Sequence, residues 1–476
     1  MKKILSLLLC ICLLLSLCAC ASSQNANGNS DENNNSSPLL VGYSRVDITP
    51  KDNVAMAIYG SESERISNGA LDKLYGYALA VTGTNGETVL ILTCDHSWFY
   101  TGIASMMRQQ LAQEFGLKEE NIVCTGTHNH SAPSLSSLDS ATKRYADEFT
   151  KKMTQAAQEA MADRKEATMY AGSAQAEGLT FVRRYILKDG TIPNFQTVSS
   201  DQIKEHESNA DTQLQVIRFV REGERDIAVY NWQAHVNMNM QIKANYHLIT
   251  ADIFGAFRTE IEGKLDVDVF VWNGAAGNLN PVSQITDENL VKDYKEYGKL
   301  LSKYGAEAFN SAEPLPAGKV ELVTSTYVGT VNHTFDSVAE QARQVLEYYK
   351  STGDDKGSRE MGKPYGINTY KHASRIISNS KLPDTQDIYL KAFCIGDIGF
   401  ICLRYEMFDT NGMQIKKDSP FKQTFIIGYT EEGQGYIPSS LVEDHGGYEV
   451  DNNIFILGTG DILAEEYIKL LEGIHD

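Results

Sequence analysis

Short apolar runs alternating with longer segments of helical period constrain this chain more than any other feature of its sequence. From about residue 40 onward the runs are TVLILTCD (88–95), NIVCTGT (121–127), IAVYNWQA (227–234), VDVFVWNG (267–274), FICLRY (400–405) and TFIIGYT (424–430). Between them, residues 103–116, 140–164, 250–263, 287–309 and 337–351 carry apolar residues three and four apart, the spacing of one helix face. A short continuous apolar run suits a strand covered on both sides, and strand-then-helix order supplies the covering layer. The pattern predicts an α/β fold: a mixed sheet core, largely buried, with flanking helices. No repeat and no linker rich in Pro, Gly or Ser interrupts residues 39–476, which read as one unit, with 318–392 a subdomain or an insertion.

Hydrophobic residues make up 42% of the chain and charged residues 22%, which suits a soluble globular protein and excludes a disordered or multi-pass membrane chain. The formal charge of -19 and the lack of any basic run argue against a nucleic-acid partner, since neutralising phosphates takes a Lys/Arg excess. At the N-terminus, Lys2 and Lys3 precede an apolar stretch over residues 4–17, and Leu17-Cys18-Ala19-Cys20 has the spacing of a lipoprotein cleavage box. Residues 1–19 are expected to be a lipoprotein signal peptide and Cys20 the lipidated first residue; an ordinary signal peptide or an uncleaved anchor are the alternatives. Residues 20–38 are Ser/Asn/Gly-rich and read as a flexible tether, so the protein is expected outside the cytoplasm, held at the cell membrane by lipid. Of eight cysteines, this leaves Cys94, Cys124, Cys394 and Cys402 in the folded part. No CxxC pair joins them, so buried free thiols are expected rather than a Cys-based zinc site, with a disulfide between two of them left open.

Polar groups that do chemistry gather where the strands of an open α/β sheet end, because loops converge there while the sheet stays packed. The run around Val123 leads into His128 and His130, and the run around Val229 leads into His235. The run through Ile401 ends in Leu-Arg-Tyr-Glu, which sets Glu406 at the start of a predicted helix. Two imidazoles and a carboxylate suit Zn²⁺, which accepts nitrogen and oxygen ligands and in catalytic sites keeps a position open for water. Taken singly, each signal is weak. His-x-His fits a structural or surface pair as well as a metal pair, His235 fits a satisfied core histidine, and Glu406 fits a carboxylate favoured by a helix dipole. The loop Asn273-Gly-Ala-Ala-Gly-Asn-Leu-Asn-Pro281 lets backbone approach a ligand closely, or simply packs a helix.

The opening Val-Gly-Tyr-Ser-Arg-Val-Asp-Ile-Thr-Pro (41–50), the His-Asn-His-Ser turn, the Asn-Trp-x-x-His strand, the Gly-Asn-Leu-Asn-Pro loop and the late Gly-Tyr-Ile-Pro resemble, in this order, the N-terminal catalytic domain of neutral, non-lysosomal ceramidases. The motifs span residues 41–438. The resemblance implies one zinc ion per chain held by His128, His235, Glu406 and Tyr436, with His130 close to the metal and its water. It sets Arg183 near the substrate carbonyl, with Arg184 as a register alternative. Leu-Arg-Tyr-Glu departs from the family's Pro-Gly-Glu. The family loop reads Gly-Asp-Val-Ser-Pro, and Asn280 stands here in place of its serine. An amide cannot be acylated in that role, so a covalent serine mechanism has no nucleophile at this position. Residues 39–476 are thus expected to form a ceramidase-like catalytic domain with no C-terminal immunoglobulin-like domain.

The implied activity is zinc-dependent hydrolysis of an amide, in N-acylsphingosine or a related N-acyl lipid, with His130 shuttling a proton and Asn280, Arg183 or Tyr436 steadying an oxyanion. The first alternative keeps the zinc and changes the acylated substrate to an amino sugar, a peptide or an ester. The second is a non-catalytic lipid-anchored binding protein, a class that usually builds two similar lobes and needs no paired histidines.

Overall fold

The structure is a computed structural model, and it describes residues 37–57, 65–136, 139–193, 198–285, 287–288, 291–430 and 435–475. The expected signal peptide, Cys20 and most of the tether lie outside the described residues. In the strand Tyr75–Thr82, successive side chains part to opposite faces: Tyr77, Leu79 and Val81 join one buried cluster, Ala78 and Ala80 another. A strand apolar on both faces needs a layer on each side, and the fold supplies both.

Among the described residues, nine strands form one mixed sheet. Eight run across it in the order Asp268–Asn273, Ile227–Trp232, Gln213–Arg221, Lys165–Gln175, Leu40–Asp47, Tyr75–Thr82, Thr88–Cys94 and Ile122–Gly126, and Glu313–Leu315 pairs with Lys165–Gln175 off this path. Thr88–Cys94 with Ile122–Gly126, and Ile227–Trp232 with Asp268–Asn273, are parallel pairs; the other pairings in this sheet are antiparallel. Helices Thr101–Phe115 and Ser140–Ala162 cover one half of the outer face, and Asp252–Leu265 and Tyr294–Asn310 the other. Ser140–Ala162 starts where it does because the Asp139 carboxylate accepts the N–H groups of Ala141 and Thr142 at 3.0 and 2.9 Å, satisfying donors that the helix leaves open.

The inner face packs on a second sheet, ordered Val320–Thr330, Thr385–Ile395, Ile398–Cys402 and Gln423–Ile427. Phe393, Phe400 and Phe425 of this sheet share one cluster with Val123, Val229, Phe270 and Trp272 of the first, each such side chain contributing roughly 1.5–3 kcal/mol by leaving water. Asp409–Asp418 and Thr459–His475 cover its far side. The result is four layers, helix, sheet, sheet, helix. The six apolar runs contain strands, as expected, and the five helical segments contain helices, the fourth only from Tyr294 onward. Residues 318–392 are neither a separate subdomain nor a simple insertion: their two ends are strands of the second sheet, and the helices Ala339–Thr352, Asp355–Gly362 and Tyr370–Asn379 lie between them. Cys94, Cys124, Cys394 and Cys402 are buried free thiols.

Polar bonds stitch the two sheets together at one end. Asn231 Nδ2 donates to Trp272 O at 3.0 Å and Ile426 O at 2.9 Å, and its Oδ1 accepts from Ile426 N at 3.2 Å. Thr125 Oγ1 donates to Gly428 O at 2.6 Å, and Gly428 N to Asn273 O at 2.8 Å. Strand ends from both sheets therefore meet at this seam.

Candidate metal centre

The chain leaves Ile122–Gly126 at the seam and turns at once. Asn129 fixes the turn: its Nδ2 donates to Asp95 O at 3.0 Å and Thr250 O at 2.7 Å, while its Oδ1 accepts from Ser131 N at 2.8 Å. His130 N donates to Val236 O, and the buried Arg65 guanidinium donates to His130 O at 2.8 Å. Held this way, His128 sits at φ 62, a conformation that a non-glycine residue adopts only where the surroundings enforce it. The loop after Ile227–Trp232 carries His235 alongside, and Asn273 ties the two together, its Nδ2 donating to Thr127 O at 3.1 Å and Ala234 O at 2.9 Å.

His128, His130 and His235 are buried, and each offers a ring nitrogen within 4.8 Å of the others, a grouping that can hold a metal ion. Glu406 joins them, its Oε2 lying 3.4 Å from His128 Nε2 and 3.2 Å from His235 Nε2. It does not stand at a helix start as the local sequence suggests: Glu406 pairs with Tyr436 in a short parallel bridge, and the helix begins at Asp409. Non-local pairing has overridden the local signal. Gly277 lies directly against the Glu406 backbone, which lets the small-residue loop close over it.

Proton positions follow from the partners. His235 Nδ1 lies 2.9 Å from Ala276 O and 3.0 Å from Leu279 O, and a carbonyl can only accept, so Nδ1 carries the proton and Nε2 presents a lone pair. Burial, with the Arg183 charge behind it, lowers this imidazole to about 4, so it is neutral near pH 7. Burial, reinforced by His128 and His235, likewise holds His130 well below its ordinary value. A neutral nitrogen lone pair thus points at a buried carboxylate oxygen, and Glu406 Oε2 has no hydrogen-bond partner among the described residues. Lone pair against lone pair repels; a cation between them turns the arrangement into a ligand set.

The remaining expected residues line the same region. Asn280 follows the carbonyl that holds His235 and accepts from Asn237 Nδ2 at 3.3 Å. Arg183 is buried, donates from Nε to Glu449 Oε1 at 2.8 Å, and sits 5.5 Å from the centre of the Tyr436 ring. Arg184 is bound to Glu207, Glu449 and Gly446 O, so of the two arginines Arg183 is the one whose charge acts on His130 and His235. The sequence reading missed three neighbours. Tyr429, at φ 56, stacks on His128 with ring centres 4.0 Å apart and 17° between planes; Trp98 packs on His128 at 4.6 Å; and Glu449 anchors both arginines. Tyr429 follows the strand Gln423–Ile427, so the strand-end rule that found the histidines also pointed to it.

Fold and site together define an α/β protein with a buried imidazole–carboxylate centre at the strand ends. The chain belongs to the neutral/alkaline non-lysosomal ceramidase family, a family of hydrolases, with residues 39–342 matching the description "Neutral/alkaline non-lysosomal ceramidase, N-terminal". Among solved structures, the neutral ceramidase from Pseudomonas aeruginosa is similar at a TM-score of 0.67 and 15% identity, over 92% of this chain and 75% of that one. A second, described as a ceramidase complexed with C2, gives a TM-score of 0.66 and 15% identity, over 92% and 76%. At this identity the likeness speaks for the fold. No curated protein matches the chain.

Proposed function

We propose that the protein is a zinc-dependent amidohydrolase that cleaves the amide of a ceramide-like N-acyl lipid. The observation that carries the metal is the His235 Nε2 lone pair 3.2 Å from Glu406 Oε2, an oxygen with no hydrogen-bond donor among the described residues. His128, His235, Glu406 and Tyr436 are the proposed holders, and a nitrogen–oxygen set of this kind favours zinc among divalent ions. Bound there, zinc would supply an acidified water and a polarised carbonyl.

The chain's own residues supply the rest. His130, neutral because it is buried, is the proposed proton carrier, taking a proton from the attacking water and giving it to the leaving amine nitrogen. Arg183, Tyr436 and Asn280 are the proposed donors to a developing oxyanion, each such donor being worth roughly 3 kcal/mol in comparable sites. With Asn280 at the loop position no serine there can form an acyl-enzyme, so direct addition of water to the carbonyl, followed by departure of the protonated amine, is the proposed route. Family membership supports the amide, and the neighbour complexed with C2 supports a ligand in this fold. The same proposal takes residues 39–476 as the catalytic domain and keeps it outside the cytoplasm, tethered through lipid on Cys20.

Metal content of the purified soluble domain, wild type beside His235→Ala and His130→Ala, tests this together with hydrolysis of short- and long-chain N-acyl substrates. The expected result is about one zinc per chain, lost in His235→Ala and kept in His130→Ala, with hydrolysis lost in both. Zinc lost from His130→Ala would make His130 a ligand, and no zinc in any of the three proteins would sink the proposal.

A further inference from the structure

Among the described residues, four non-glycine residues have positive φ, and the two that carry rings, His128 at 62 and Tyr429 at 56, stack on each other. Such a conformation costs energy and persists only where the surroundings enforce it. For Tyr429 the enforcement comes from the seam between the sheets. Gly126 N donates to Tyr429 O at 3.3 Å, Thr125 Oγ1 to Gly428 O at 2.6 Å, and Thr430 N to Leu403 O at 2.8 Å. Thr430 also pairs with Thr125 in an isolated antiparallel bridge. These bonds tie the loop after Gln423–Ile427 to the end of Ile122–Gly126, and they set the buried Tyr429 ring against the turn that carries His128.

His128 and His235 are held in different ways. A histidine that binds a metal ordinarily donates its second ring N–H to an acceptor, which fixes the tautomer and the orientation of the ring. His235 does this through Nδ1, which faces Ala276 O and Leu279 O. His128 turns Nε2 to the centre, 3.4 Å from Glu406 Oε2 and 3.3 Å from His130 Nε2, and its Nδ1 has no hydrogen-bond partner among the described residues. Aromatic rings touch it instead. Tyr429 lies nearly parallel to the imidazole, with centres 4.0 Å apart and 17° between planes, and Trp98 meets His128 at 4.6 Å and Tyr429 at 5.6 Å. Trp98 is fixed in its turn by the close approach of Gly126, where a Cβ would come within 2.8 Å of Trp98 Cα. A flat ring packed this closely blocks the imidazole from tilting out of its plane.

We infer that Tyr429 is a positioning residue for the metal centre: its ring, with Trp98, holds the His128 imidazole in the orientation that hydrogen bonds provide for His235. The inference rests on the proposed metal set. It means that a ligand hung from the first sheet is oriented from the second, because Tyr429 follows Gln423–Ile427. The test is zinc affinity by chelator competition in wild type, Tyr429→Phe and Tyr429→Leu, beside thermal unfolding of the metal-free proteins and the visible absorption of their cobalt-loaded forms, which reports ligand geometry. Phenylalanine keeps the flat ring, and leucine keeps only apolar bulk. Tyr429→Phe is expected to bind zinc as wild type does. Tyr429→Leu should bind on the order of 10- to 100-fold more weakly, the loss that follows when the group orienting a metal-bound histidine is removed, with a changed cobalt spectrum. A residue that merely fills the seam would, as leucine, lower the metal-free Tm and leave affinity and spectrum as in wild type; that result overturns the inference, as does an equal loss of affinity in Tyr429→Phe. Trp98 is only half-buried, so Trp98→Leu serves if Tyr429→Leu does not fold: zinc binding weaker by about 2- to 10-fold, the worth of one aromatic contact, supports the inference, and unchanged binding overturns it. Wild type that takes up no zinc overturns the metal reading and this inference with it, whereas a leucine variant with wild-type affinity overturns the inference alone.

Discussion

Replacing Gly277 by alanine should damage the proposed metal centre through the backbone of Glu406, one of its proposed ligands. A Cβ built at Gly277 would lie 2.3 Å from Glu406 O, 2.8 Å from Glu406 C and 2.9 Å from Met407 O, all backbone atoms that no rotamer change can move. Gly277 is not among the glycines with positive φ, so the clash is the whole cost. Ordinary contact begins near 3.4 Å, so the Glu406 backbone must retreat by about 1 Å. Zinc ligands tolerate about 0.2 Å, and disturbing what holds a ligand costs roughly 10- to 100-fold in metal affinity. Overpacking adds about 1–3 kcal/mol of lost stability. Zinc affinity by chelator competition and urea unfolding of the loaded protein read the two effects separately. Gly263→Ala is the control: nothing lies within 4 Å of its Cβ, it sits inside the helix Asp252–Leu265, and it should stabilise by about 0.5–1 kcal/mol. Wild-type zinc affinity in Gly277→Ala would refute the argument that this close approach positions Glu406.

Acid should weaken the fold through His96, which is buried against Tyr145 Oη at 2.7 Å and Pro133 O at 3.1 Å and lowered by burial to about 4. The unfolded chain takes up that proton near pH 6.5 and the folded chain only near pH 4, so stability present above about 6.5 is lost as pH falls through this window, by up to about 3 kcal/mol. Urea unfolding at pH 4.5 and 7.5 should show a smaller acid penalty in His96→Gln; an unchanged penalty rules His96 out as its source. Tyr429→Phe should leave the fold as stable or up to about 1–2 kcal/mol more stable, because its buried hydroxyl has no hydrogen-bond partner among the described residues. A fall in Tm would mean that this hydroxyl has a bonded role in the resting protein.

The parts legible in the sequence are those set by local pattern. TVLILTCD and IAVYNWQA read as strands because their residues are buried on both faces. Lys165–Gln175 and Val320–Thr330 escape the same reading: much of each strand reaches solvent, so neither is a continuous apolar run. The histidines were found because they follow strands, whereas the structural setting of Glu406 was not, since its bridge to Tyr436 depends on a partner far along the chain.

The histidines hang from one sheet and Glu406 follows the other, and the chain reaches them in that order, His128 in its first third and Glu406 near its end. A growing chain therefore holds an incomplete set of ligands for most of its synthesis. The carboxylate of Glu406 joins the imidazoles only when the second sheet has closed on the first. On the proposed ligand set, loading would then be a late event, completed only once the two sheets have closed on one another.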